Sequence, residues 1–157
     1  MRIRPGLCSI TFRDLSVDDV VALAADAGLA GIEWGADRHV PPGSDAVSVA
    51  GRCADAGLTC PSYGTYLFAG QATADEVDAA CVTTVELGAT NLRIWAPGEV
   101  GTAEVAAVAD RAAHHGLTIS LEFHPGTRTE TADSTLALLA EADRPNLFTY
   151  WQPDPGL

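Results

Sequence analysis

The sequence contains no lysine: all nine basic residues among its 157 are arginines. Schiff-base catalysis and pyridoxal phosphate attachment both require a lysine amine, so this chain alone can perform neither. Positive charge of any kind is scarce, with 9 basic against 21 acidic residues and a net charge of −12. Such a chain repels a phosphate backbone, and nucleic acid is not an expected partner. No apolar run approaches the roughly eighteen residues needed to span a bilayer, and the opening MRIRPGLCSI has a proline where a signal peptide needs its apolar stretch. The expectation is a cytoplasmic chain with no membrane partner. The four cysteines, Cys8, Cys53, Cys60 and Cys81, fall in no CxxC or zinc-like spacing and are expected as free core thiols without chemistry. What the sequence does have is 47% hydrophobic and 19% charged residues, enough for a single globular domain over 1–157 with a real core.

Four segments share one grammar, an alanine-rich helical run, a glycine, then a short apolar strand: LAADAGLAGIEW, RCADAGLTCPSY, TTVELGATNLRIW and RAAHHGLTISLEFH. Their glycines, at 28, 57, 88 and 116, lie 29, 31 and 28 residues apart, the length of one strand plus one helix. Capping boxes or near relatives begin at Ser16 and Thr73, and Thr102 and Thr131 supply a cap with early negative charge. Strands are predicted near 6–11, 31–35, 58–63, 91–95, 117–123 and 147–152, and helices near 17–27, 44–56, 74–87, 102–115 and 133–142.

Such an α/β array fits an open doubly wound parallel sheet or part of a (β/α)8 barrel. The length suits the open sheet as a complete domain; the strands favour the barrel. Strands covered by helices on both faces should be nearly all apolar. Here Glu33, Arg93, Glu122 with His124, and Gln152 fall on one parity, as inward residues at a barrel's C-terminal rim would. No GxGxxG or GxxxxGK loop follows the first strand, so the usual nucleotide sheets lack their signature. All ten aromatics, Tyr63 and Trp95 among them, lie in or just after predicted strands. They suit strands by propensity, and they also offer flat faces on which a sugar ring can stack.

Within SLEFHPG, alternation sets Ile119, Leu121 and Phe123 on one face and Ser120, Glu122 and His124 on the other. A carboxylate at the C-terminal end of a parallel strand is placed for catalysis or metal binding, and His124 beside it for substrate or metal contact. In IEWGADRHVPPG, Glu33 ends the second strand and His39 sits in a loop stiffened by Pro41 and Pro42, a candidate substrate clamp. The last strand, LFTYWQP, directs Gln152 to the same side as Glu122.

The stretches GLCSITF, GLAGIEWGADRHVPPG, LTISLEFHPGT and LFTYWQP, in this order and spacing, resemble the xylose isomerase-like TIM barrels, which include sugar phosphate isomerases and epimerases and, more distantly, endonuclease IV. The resemblance covers essentially the whole chain as strands one to six of a partial (β/α)8 barrel. It implies a metal-assisted isomerase or epimerase of a small sugar or polyol, working by proton transfer through an enediolate, with a divalent ion (Mn, Mg, Co or Zn) in the full-length member. Carried over, Glu122 would be a base and a metal ligand, and Gln152 stands where an aspartate ligand is expected. Glu33, His39, Tyr63, Arg93, Trp95 and His124 would contact substrate. The family's last histidine and glutamate ligands have no counterpart before the chain stops at YWQPDPGL, so the chain is expected to be truncated, with self-association through open barrel edges. A non-catalytic binding module or inactive fragment is the alternative, and endonuclease IV-like phosphodiester hydrolysis the third reading.

Overall fold

The protein is described by a computed structural model over residues 3–152. Among these residues six strands alternate with five α-helices: β1 Gly6–Cys8, α1 Val17–Asp26, β2 Gly31–Gly35, α2 Ala46–Asp55, β3 Tyr63–Phe68, α3 Ala74–Glu86, β4 Asn91–Trp95, α4 Thr102–His114, β5 Thr118–Glu122, α5 Ala132–Ala142 and β6 Leu147–Tyr150. The strands form one sheet in the order β1-β2-β3-β4-β5-β6. A doubly wound sheet must reverse its strand order at a switch point, and none occurs among the described strands. The architecture is therefore α/β with the strand order of a partial TIM barrel.

Helix boundaries follow local chemistry. The Ser16 hydroxyl accepts from the Asp19 amide while Asp19 reaches back to Ser16, a complete capping box on α1. Thr73 and Glu76 make the same exchange before α3. On α5 the box closes between Thr131 and Ser134, not through Asp133. Thr102 is the first residue of α4 and Gly101 its cap, so the hydroxyl expected to cap this helix does not. At the helix-to-strand turns Gly28, Gly57, Gly88 and Gly116 have φ of 68°, 72°, 70° and 71°, the left-handed conformation that lets a helix end without a Cβ penalty.

Two strands differ from expectation. β1 is three residues long because Ser9–Phe12 coils into a 3-10 turn, which places Phe12 in a helical turn and lets Ser9 Oγ accept the Gly35 amide. β3 begins at Tyr63, five residues later than predicted. Pro61 has no N–H to give a ladder, so the chain after Gly57 makes only an isolated bridge, Thr59 to Gly31, before pairing resumes at Trp34–Tyr63.

Contacts cluster into two compact units, one built from the residues up to 65 with 79–92, the other from 66–78 with 93 onward. In the first, Ile32 and Trp34 of β2 and Val20 and Ala24 of α1 are fully buried. In the second, Ile119 and Leu121 of β5 are fully buried with Val105, Ala109 and Ala112 of α4 and Leu138 of α5. At about 25 cal/mol per Å² these side chains supply much of the driving force for folding. Strand parity thus gives each unit an apolar face under its helices, and the opposite parity carries the polar residues.

Candidate functional site

In the second unit the polar parity converges on Glu122, the last residue of β5. Its strand neighbour β6 fixes it in register, Glu122 opposite Tyr150, with the Phe123 amide donating to the Tyr150 carbonyl. The carboxylate is 8% exposed and Arg93 of β4 is 5% exposed. Arg93 Nη1 forms an ion pair with Glu122 Oε2. Gln152, just past β6, donates from Nε2 to Glu122 Oε1 at 3.0 Å. A carboxylate this buried is costly to leave unpaired, and here both oxygens are engaged.

Beside it lies an aromatic group. The Trp95 indole ends β4 and meets the His124 ring at 4.6 Å between centroids, Phe68 at 5.7 Å and Tyr66 at 6.2 Å, the last nearly parallel at 17°. His124 Nδ1 lies 2.8 Å from the Pro125 carbonyl, which can only accept, so the hydrogen bond places a proton on Nδ1 and leaves Nε2 as the nitrogen free to face a ligand. A neutral imidazole presenting Nε2 can accept a substrate hydroxyl or proton. Trp95 Nε1 is buried with no hydrogen-bond partner among the described residues. Tyr66 and Phe68, which the sequence offers only within its set of ten aromatics, join Trp95 because β3 starts five residues later than the spacing predicts.

In the first unit Glu33 of β2 is half-buried, with Ser62 Oγ donating to Oε2 at 2.6 Å and the Cys8 thiol to Oε1 at 3.4 Å. Cys8 is thus half-exposed beside a carboxylate and outside the core where it was expected, whereas Cys53, Cys60 and Cys81 are buried thiols outside any disulfide. His39 and Tyr63 serve the protein's own packing. His39 Nε2 lies 3.2 Å from the Leu15 carbonyl with its ring edge-on to Trp34 at 5.8 Å. Tyr63 is fully buried and its hydroxyl donates to the Val40 carbonyl. Burial, with Asp37 and Cys60 nearby, pushes its phenol pKa up.

The expected divalent ion finds a poor donor set here. Among the described residues no group of three or more His, Cys, Asp or Glu side chains is brought together to hold a metal. Gln152 turns its amide N–H, not its carbonyl, toward Glu122, and the Arg93 guanidinium already meets the carboxylate charge. Hard divalent cations take about six or more oxygen donors. Glu122 and Gln152 do not by themselves make such a site. No helix among the described residues is long and apolar enough to cross a membrane.

Comparison with known proteins agrees with the topology. The family model described as xylose isomerase-like TIM barrel matches residues 21–153. A curated 3-dehydroshikimate dehydratase of Bacillus anthracis is 27% identical over 165 residues, covering 90% of this chain and 59% of that protein. The crystal structure of a probable 3-DHS dehydratase from Bacillus anthracis superposes with a TM-score of 0.82 at 22% identity, covering 94% of this chain and 62% of that one. A D-allulose 3-epimerase from Methylomonas sp., in complex with D-allulose, gives 0.74 at 22% identity with the same two coverages, 94% and 62%. The chain spans about three-fifths of the length of these relatives. With its sheet order, its polar strand parity and this match over most of its length, the chain belongs to the xylose isomerase-like TIM-barrel family.

Proposed function

We propose that this chain carries the Glu122 half of an acid–base site that removes a proton from a carbon next to a carbonyl in a small polyhydroxylated substrate. The observation that supports it is a buried carboxylate at the C-terminal end of a parallel strand, gripped by Arg93 and Gln152 and bordered by an aromatic group. The relatives' names supply two reactions, dehydration of 3-dehydroshikimate and 3-epimerisation of D-allulose. In general chemistry both begin at the same place, a C–H bond beside a carbonyl. Isomerisation of a sugar through an enediolate begins there too.

In this mechanism the C–H bond breaks, its proton passes to Glu122, and its electron pair moves into an enolate. Protonation cancels the charge that held Arg93, and the guanidinium is left as the nearest cation to the new enolate oxygen. One buried pair thereby supplies both the base and the compensating charge. Trp95, with Tyr66 and Phe68 against it, offers its ring to the C–H face of the substrate, and His124 Nε2 accepts a hydroxyl. The net charge of −12 argues against an endonuclease-like substrate.

Exchange in D2O tests the reading. Incubated with D-allulose, related ketoses or 3-dehydroshikimate, the protein should introduce deuterium beside the carbonyl, read by proton NMR, and E122Q should slow this by about 10²-fold or more. Equal exchange by E122Q refutes the role of Glu122. The second reading, a binding module without turnover, has its own support, since both Glu122 oxygens are already occupied. It is upheld if the same compounds bind, by calorimetry, with no exchange at all.

A further inference from the structure

The segment 123–131 between β5 and α5 is fastened at both ends by its own side chains. Past the Phe123 amide, which donates to the Tyr150 carbonyl, the strand ladder stops, yet Glu122 and His124 both have their backbone carbonyls held. Thr129, fully buried, donates its hydroxyl to the Glu122 carbonyl. Thr127 donates to the His124 carbonyl at 2.6 Å and accepts the Thr129 amide at 3.2 Å. The segment is also sewn to the loop after β4. Thr127 bridges Pro97, the Arg128 amide donates to the Ala96 carbonyl at 2.9 Å, and Arg128 Nη1 donates to the Val100 carbonyl at 2.8 Å. That loop begins at Trp95, the ring on which His124 rests.

We propose that Thr129 and Thr127 are positioning residues, whose hydroxyls replace the missing ladder, fixing the main chain of Glu122 and holding His124 against Trp95. Their functional meaning rests on the acid–base role of Glu122; their structural action does not. Without the Thr129 hydroxyl a buried carbonyl loses its donor, and the cheapest remedy is for the segment to shift until water reaches it. The shift carries His124 off Trp95 and turns the Glu122 carboxylate.

Fluorine NMR of protein labelled with 5-fluorotryptophan reads this directly, since Trp34, Trp95 and Trp151 give one line each, and W95F assigns the Trp95 line. H124A marks where that line falls when the imidazole is gone. T129V should move the Trp95 line toward the H124A position and broaden it, leaving the Trp34 line in place. T129S, which restores the hydroxyl, should return it. A residue that only adds stability would lower the melting temperature and leave the line unmoved in the folded protein, and that outcome overturns the proposal. Should T129V fail to fold, T127V and R128A decide the matter, with an unmoved Trp95 line in both as the refuting result. On a substrate found by the exchange assay, T129V should lower kcat by about 10²-fold with KM little changed, the cost of a misplacement on the order of 1 Å. If E122Q retains full exchange the acid–base reading fails, and the fluorine spectra still decide the role of the two threonines.

Discussion

Replacing Arg93 by methionine should be among the most damaging single changes available to this chain. Arg93 and Glu122 are 5% and 8% exposed, so water cannot stand in for the lost partner, and the carboxylate would keep only the bond from Gln152. Breaking a buried pair from one side costs about 3–5 kcal/mol. Against a total stability of roughly 5–15 kcal/mol, that approaches unfolding. At about 2–4 °C per kcal/mol for a chain of this size, the melting temperature of R93M should fall by roughly 6–20 °C. The double variant R93M/E122L removes both charges and should recover most of the loss, since a buried pair replaced by apolar side chains is often neutral. Urea unfolding of wild type, both single variants and the double variant gives the coupling energy free of Arg93's other contacts. The reasoning is refuted if R93M lies within about 0.5 kcal/mol of wild type, or if the double variant is as unstable as the two single losses added together.

The Cys60 thiol is pushed from 9.0 up to about 12, first by burial and then by Cys53. Above about pH 9 the unfolded thiol ionises while the native one stays protonated, so stability falls with rising pH by up to ~1.4 kcal/mol per unit. Urea unfolding at pH 8 and 10.5 should show this loss, and C60A should flatten the slope; an unchanged slope in C60A rules the thiol out. At the sheet margin, β1 and β6 each have a strand on one side only among the described residues, and Phe148 and Trp151 are 47% and 74% exposed. The 157-residue chain should therefore sediment at micromolar concentration as more than a 16.3 kDa monomer, with F148E/W151E dissociating it. A wild-type monomer with a sharp cooperative melt contradicts this.

The helices were legible because their signals are local: Ser16 with Asp19 and Thr73 with Glu76 cap within four residues, and each predicted helix lies within two residues of its place. Alternation along a strand is equally local, which is why Glu122 and Arg93 were both assigned to the chemical face. That they meet was not legible, since which residue of β4 lies beside which of β5 depends on sheet register and not on spacing within either strand. β3 was misplaced because its strand-like residues straddle Pro61, and the three other units suggested a strand directly after the glycine. The length of β1 was overread because Ser9 satisfies an amide from β2 that lies 26 residues away. For the same reason nothing in the run Thr127-Arg128-Thr129 identified its hydroxyls as partners of the Glu122 and His124 carbonyls.

At Gly28, Gly57, Gly88 and Gly116 an added Cβ would meet nothing within 4 Å. Room is therefore not what excludes a side chain there; handedness is. An L-alanine would pay about 1–2 kcal/mol to adopt the conformation, whereas for a D-alanine it is the preferred one and the space is already open. Semisynthesis placing D-alanine at any of the four should leave the fold intact and gain about 0.4–1 kcal/mol by narrowing the unfolded ensemble. Asp143, at the end of α5, already holds φ of 46° as an L residue. Gly43, Gly70 and Gly126 adopt it too, so among the described residues eight sites ask for the opposite enantiomer, seven answered by the achiral residue and one by an L-aspartate.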